Sequence, residues 1–141
     1  MRRLVGILAM VLVLGSTALQ AQQAPLPTIT PPASGPKVTP LVADAQVSGV
    51  PDKVFVLITA DWPPGVTTGR HTHSGDEYGT VVEGTVVTRQ TDGEWKTVTA
   101  GQSYYVPARI VHETKNIGDK PAKTYNAFIV EKGKPRATPA E

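Results

Sequence analysis

Short stretches in which apolar residues alternate with polar ones fill the chain between residues 51 and 132, and glycine or proline separates them. The stretch KVFVLITADW, residues 53–62, is rich in β-branched and aromatic side chains and lies between PD and PPG. This composition, interrupted at both ends, is typical of a buried strand. Further strands are predicted at YGTVVE, TVVTRQ, EWKTVT, SYYV, IVHETKN and TYNAFIVEK.

The turn TDG at residues 91–93 separates TVVTRQ from EWKTVT at hairpin spacing, so these two strands are predicted to pair. After the N-terminal segment, no window shows the apolar stripe of period 3.6 that an amphipathic helix requires. The pattern therefore predicts an all-β domain, either a sandwich or a barrel.

The N-terminus has a different pattern, because MRRLVGILAMVLVLGSTALQ places two arginines before an apolar run and small residues after it. This is the layout of a Sec-type signal peptide over residues 1–21, with cleavage after Ala18 or after Ala21. An uncleaved membrane anchor is the alternative, but the run from Leu4 to Leu14 is shorter than the roughly 20 residues that a spanning helix needs. We therefore expect a periplasmic or secreted protein, with no stable membrane insertion after cleavage.

The net charge is small once this segment is removed. The 141 residues carry a formal charge of +2, and loss of Arg2 and Arg3 reduces 14 basic residues to 12, equal to the 12 acidic ones. A neutral chain has no excess charge for a phosphate backbone, so we expect no nucleic-acid partner. The chain has no cysteine, so its core must hold the fold without disulfides.

Two segments lack any hydrophobic period. Residues 22–50 include QQAPLPTITPPASGPKVTP, with six of the chain's 13 prolines, and are predicted to be a linker or arm. The alternative is an arm that docks on a neighbouring subunit through Leu26 and Ile29. Residues 133–141 are predicted to be a flexible tail, which leaves residues 51–132 as the folded domain.

Ionisable side chains are concentrated in GVTTGRHTHSGDE, residues 65–77. Residues two apart in a strand share a face, so His71 and His73 point the same way, and Glu77 joins them if the SGD link keeps the register. His112 is the third histidine of the chain. Imidazole and carboxylate groups bind divalent metals, so these residues indicate a metal site; hydrogen-bonded core histidines are the alternative.

Glycines complete two spaced motifs around these residues. The first is matched by Gly65, His71, His73, Glu77 and Gly84, and the second by Gly101, Pro107, His112 and Asn116. This pair of motifs resembles that of the cupins, with nine of ten fixed positions matched. The resemblance extends over residues 54–130.

The resemblance implies a double-stranded β-helix barrel of the jelly-roll type, with one divalent transition metal ion inside it. The implied ligands are His71, His73, Glu77 and His112. Iron, manganese, nickel, copper and zinc all suit nitrogen and oxygen ligands, so the metal stays open. The resemblance also implies a homodimer, and a catalytic role for Glu77 as a base that leaves the metal during turnover.

Arg109 is the departure from the motifs, because the cupins have glycine at this position. We expect the arginine either to change the backbone and displace His112, or to tolerate a strained conformation. Its side chain is expected either to pair with an anionic substrate at the barrel mouth or to be solvated.

Three functions fit these observations. The first is an exported metal-binding cupin enzyme that acts on a small organic molecule, with a quercetinase-like dioxygenase as the leading case by resemblance. The second is a small-molecule binding module with a metal that does not catalyse turnover. The third is a barrel in which the metal only stabilises the fold. A site that faces a water-accessible cavity favours the first two, whereas a closed four-coordinate site favours the third.

Overall fold

The computed structural model describes residues 35–141, and this part of the chain contains ten strands. In chain order they are β1 (Lys37–Gln46), β2 (Lys53–Trp62), β3 (His71–Thr72), β4 (Asp76–Glu83), β5 (Thr85–Gln90), β6 (Lys96–Thr99), β7 (Ser103–Val106), β8 (His112–Lys115), β9 (Ala122–Glu131) and β10 (Thr138–Pro139). Sheet A has the order β1-β2-β9-β4-β7, and sheet B has the order β10-β3-β8-β5-β6. All neighbouring strands are antiparallel, and each sheet combines strands from distant parts of the chain, as in a jelly roll.

The predicted all-β architecture is confirmed. Strand β2 has the bounds that the pattern predicted, and β5 pairs with β6 around the TDG turn from Thr85↔Thr99 to Thr88↔Lys96. Between residues 35 and 141 no segment is helical, so none forms a helix long and apolar enough to cross a membrane.

The two sheets pack through alternate residues of their strands. On β2, one buried residue follows each half-buried one, so a single face of the strand enters the core. The buried apolar side chains form two clusters, one with Ala60, Trp62, Val66, Val81, Val86, Val98 and Ala122, and one with Val54, Val56, Ile58, Phe128 and Val130. Each fully buried large apolar side chain stabilises the fold by about 1.5–3 kcal/mol.

The interior also contains polar groups. Among residues 35–141, eight polar or charged residues are buried: His73, Glu77, Thr88, His112, Thr114, Asn116, Thr124 and Asn126. Buried polar groups destabilise a fold unless they find partners, so such a set inside a barrel indicates a functional interior.

The folded domain begins earlier than predicted. Part of the expected arm, residues 37–46, is strand β1, which pairs with β2 from Lys37↔Asp61 to Gln46↔Val54. The strand was not predicted because its sequence contains proline. Pro40 is tolerated because β1 is an edge strand, where a missing backbone donor breaks no inner ladder, and two register shifts follow it. Residues 1–34, with the expected signal peptide and the rest of the arm, lie outside the described residues.

The domain also ends later than predicted. Residues 133–141 were expected to be a flexible tail, but Thr138 and Pro139 form β10 and pair with Thr72 and His71 of β3. The backbone N–H of Ala140 then donates to the carbonyl of Arg70 at 3.0 Å. The corrected folded unit therefore includes the C-terminal segment, which lies directly beside the first histidine.

Candidate metal centre

Three histidine rings meet between the two sheets. His71 of β3 and His112 of β8 are paired neighbours in sheet B, and His73 follows β3 directly. The ring centroids of His71 and His112 are 4.1 Å apart, and His73 lies 4.8 Å and 4.9 Å from these two. One ring nitrogen from each histidine lies within 4.8 Å of the others, so the three could hold a single metal ion.

Hydrogen bonds on the far side of each ring fix its tautomer. Each Nδ1 contacts a main-chain carbonyl: Gly69 for His71 at 3.0 Å, Ile110 for His112 at 3.1 Å, and Arg136 for His73. A carbonyl oxygen can only accept, so each Nδ1 carries a proton and Nε2 is the ring atom that can bind a metal. This second contact is the one that orients a histidine ligand toward a metal.

Glu77 approaches the rings from the opposite sheet. It is 5% exposed on β4, and its Oε2 lies 3.1 Å from His73 Nε2 and 3.0 Å from His112 Nε2. The His112 contact has the distance of a hydrogen bond but not its direction, so this buried nitrogen has no hydrogen-bond partner among residues 35–141. Since Nδ1 holds the ring proton, an Nε2 that faces a carboxylate so closely requires a cation between them, either a further proton or a metal ion.

Glu77 was expected to share a strand face with His71 and His73 if the SGD link kept the register, and the link does not keep it. Strand β3 belongs to sheet B and β4 to sheet A, so the chain crosses the barrel between His73 and Asp76. A Cβ on Gly75 would lie 1.8 Å from the carbonyl oxygen of Ile129, so only glycine fits this crossing.

The second oxygen of Glu77 is held by a buried chain of polar groups. Asn126 Nδ2 donates to Glu77 Oε1 at 2.8 Å and to the Tyr104 hydroxyl oxygen at 2.7 Å. The chain continues outward, with Thr124 Oγ1 donating to Asn126 Oδ1 at 2.6 Å and Trp62 Nε1 donating to Thr124 Oγ1 at 3.0 Å. Oε2 is therefore turned toward the histidines.

The environment sets the charge states that metal binding requires. Burial lowers the pKa of His71 to about 4, so this ring is neutral at pH 7. Burial alone would raise the pKa of Glu77, but the adjacent His112 and His73 outweigh burial and hold it below its usual range. The centre therefore presents a carboxylate and a neutral His71 at neutral pH.

A cavity of about 300 Å³ adjoins the histidines. The four candidate ligands lie on its wall, which is otherwise largely apolar. One of two adjacent tyrosines faces the cavity. It is Tyr104, whereas Tyr105 is 46% exposed. Gly79 makes room for it, because a Cβ there would lie 2.1 Å from the Tyr104 ring.

The Cupin domain family model matches residues 58–135, more than half of the chain. The chain belongs to the cupin family. The double-stranded β-helix implied by the sequence motifs is confirmed, because an uncharacterized conserved protein with a double-stranded beta-helix domain from Klebsiella pneumoniae has the same fold. That structure has a TM-score of 0.60 and 20% identity, over 79% of this chain and 89% of the Klebsiella chain.

Two further relatives differ in what they share with this cupin. A recombinant oxalate oxidase in complex with glycolate has a TM-score of 0.59 and 21% identity, over 77% of this chain and 56% of that one. The HTH-type transcriptional regulator PuuR of Escherichia coli (strain K12) is 39% identical over 70 residues, which are 49% of this chain and 37% of the regulator. The chain thus spans little more than a third of PuuR, and the oxidase shows only a common fold.

The donor set of this cupin fits a divalent ion. Two ligands that bind one ion at 2.0–2.2 Å lie about 3 Å apart when their bonds are at right angles. Glu77 Oε2 is 3.0 Å and 3.1 Å from the Nε2 atoms of His112 and His73. Neutral imidazoles and one carboxylate are suitable ligands for the transition metals from manganese to zinc.

Arg109 tolerates the conformation that the cupin motif gives to glycine. Its φ is 64°, in the left-handed region, and its backbone N–H donates to the carbonyl of His73 at 2.9 Å. His112 still lies beside the other two rings. The Arg109 side chain is 77% exposed and forms an ion pair with Glu131 at 2.7 Å, so it is not on the cavity wall.

The polar chain behind Glu77 was missed by the sequence analysis. Its signal is present on β9, where Thr124 and Asn126 occupy positions that alternate with exposed or half-buried residues and therefore point inward. Two further residues have structural roles. Asn116 holds a turn, donating to the carbonyls of Trp62 and Lys120, and Trp62 belongs to the core.

Proposed function

We propose that this chain is a metal-dependent cupin enzyme that acts on a small organic molecule by a quercetinase-like dioxygenase reaction. The observation that carries the proposal is the set of three Nδ1–carbonyl contacts, which leaves the Nε2 atom of each ring available to a metal, with those of His73 and His112 within 3.1 Å of Glu77 Oε2. The candidate ligands are His71, His73, Glu77 and His112. Their position on the wall of a cavity supports the two functions that bind a small molecule over a purely structural metal.

A divalent ion held by these ligands would supply Lewis-acid activation of a chelating substrate and, if redox-active, access to dioxygen chemistry. The side chains around the candidate metal centre position Glu77 and shield the cavity. Asn126 fixes Glu77 Oε1, and the apolar wall limits the access of water to a bound substrate. Glu77 stays our candidate for the catalytic base, because it is the carboxylate on the cavity wall beside the histidines.

Oxygen uptake tests this proposal. We expect protein loaded separately with iron, manganese, nickel, copper or zinc to consume dioxygen with at least one metal when given flavonols or small chelating carbonyl compounds. Metal-free protein and the Glu77→Gln variant are expected to show none. If no metal gives uptake with any substrate, the enzyme proposal fails and the non-catalytic binding module takes its place.

We also propose that the protein is exported and forms a homodimer through the outer face of sheet A. A row of apolar residues crosses all five strands of this face: Val42, Leu57, Ala127, Tyr78 and Tyr105. Tyr125 and Ile129 extend it and are exposed by 42% and 37%. Lysine and acidic residues alternate at its borders, as in the Lys123–Asp61 pair at 3.2 Å, so a second copy in a two-fold arrangement offers matching charges.

Native mass spectrometry of protein recovered from the periplasm or the medium tests both parts. The denatured chain is expected to have the mass left by cleavage after Ala18 or Ala21, and the native particle twice that mass. Tyr78→Arg places a charge in the apolar row and is expected to yield monomers. An uncleaved chain would contradict export, and a monomeric wild-type particle would contradict the dimer.

A further inference from the structure

The charges on the cavity wall are unbalanced in sign. Besides the histidines, the charged residues on the wall are Glu77, Arg70 and Arg136. Two guanidinium groups and one carboxylate give the wall a net charge of +1, and a divalent ion would raise it to +3. A small cavity with this charge attracts anions and disfavours cations.

Arg136 differs from other arginines near the site because its charge is not paired. Among residues 35–141, no carboxylate lies within 4.0 Å of its guanidinium nitrogens. Its guanidinium carbon is 5.8 Å from the centroid of the Phe128 ring, and that ring is 4.9 Å from the His73 ring. The side chain is half-buried, so a positive charge lies beside the candidate metal centre without a counter-charge.

The other two arginines near the site are already engaged. Arg70 Nη1 lies 3.0 Å from Asp92 Oδ1, and its Nε donates to the main-chain oxygen of Glu141 at 3.2 Å. Arg109, which the sequence suggested as a partner for an anionic substrate, pairs with Glu131 and lies outside the cavity. Arg136 is therefore the arginine that can pair with an anionic ligand in the cavity.

The rest of the wall sets the size and character of the ligand. Its apolar part includes Val38, Ile58, Trp62 and Phe128. A volume of about 300 Å³ is at the lower end of the range for small-molecule sites. A compact molecule with one apolar part fits this wall.

We infer that the cavity takes small organic acids: the carboxylate pairs with Arg136, the apolar substituent packs on Phe128 and Trp62, and a second oxygen faces the Nε2 atoms. This inference names the substrate class for the proposed metal-dependent function and rests on it for the role of the second oxygen. The pairing of the ligand carboxylate with Arg136 does not depend on a bound metal. Arg136 is thus a specificity-determining residue.

Calorimetric titration of zinc-loaded protein tests the inference without turnover. The probes are benzoylformate and its uncharged methyl ester, which share the apolar ring and the oxo group. For Arg136→Gln we expect about tenfold weaker binding of benzoylformate, the lower end for a hydrogen bond to a charged group, and unchanged binding of the ester. Arg136→Lys should lose less, and Arg109→Gln is the matched control and should lose nothing.

Zinc content and binding by metal-free protein separate this inference from the proposed function. Equal zinc in all variants would show that the main-chain contact from Arg136 to His73 is intact. If benzoylformate binds metal-free protein and Arg136→Gln weakens that binding, the acid site stands even where no metal supports turnover. If Arg136→Gln binds benzoylformate as tightly as the wild type in both metal states, the inference is wrong.

Discussion

The His73→Ala protein is expected to lose nearly all of its bound metal after dialysis, with an affinity at least about 100-fold lower than that of the wild type. His73 Nε2 lies 3.1 Å from Glu77 Oε2, and the Nδ1 contact with Arg136 fixes its orientation. Alanine removes one metal ligand. The other two histidines of the chain are already assigned as ligands, so no further histidine can replace the lost one. Elemental analysis and competition with a chromophoric chelator measure the loss.

Arg70→Ala is the control for this variant, and it is expected to retain full metal content. Arg70 lies one residue before His71, but its guanidinium contacts Asp92 and Glu141. Circular dichroism must show that both variants fold, because His73 also packs on Phe128 at 4.9 Å. Equal metal loading of the two folded variants would mean that the histidines are core residues and that the metal assignment is wrong.

The parts of the fold that follow from local patterning were predicted correctly. Strand β2 has a face that is buried at every second residue, and the β5–β6 hairpin has a turn of its own, so each is determined by neighbouring residues. The edge strands β1 and β10 contain proline and lie mostly exposed, so they carry no such pattern. They form because β2 and β3 offer them unpaired edges, which is information from distant parts of the chain.

The sequence predicted which residues form the candidate site, but not how the fold brings them together. The spacing of the histidines and Glu77 identified the four residues by resemblance, although the structure brings them together from two sheets rather than along one strand. Asn126 and Arg136 lie 49 and 63 residues from the groups they contact. Contacts across such distances depend on the packing of the barrel, so sequence reasoning without the fold could not find them.

Gly75→Ala is expected to destabilise the protein by about 3 kcal/mol, at the upper end for overpacked sites. The new Cβ would lie 1.8 Å from the carbonyl oxygen of Ile129 and 2.7 Å from its carbonyl carbon. These are backbone atoms inside the β4–β9 ladder, which pairs Asp76 with Ile129, so they cannot move aside as the end of a side chain can. The melting temperature is expected to fall by roughly 10–20 °C.

The matched control for this variant is Gly35→Ala. A Cβ on Gly35 meets its nearest atom, the carbonyl oxygen of Thr67, at 3.5 Å, which is ordinary contact, so its stability is expected to change by less than about 0.5 kcal/mol. Because Gly75 lies in the link that carries the chain from His73 to Glu77, the alanine variant is also expected to bind metal more weakly while still folded at low temperature. A Gly75→Ala protein as stable as Gly35→Ala would mean that the crossing link has room to move, and that Glu77 is not held opposite the histidines by the fold.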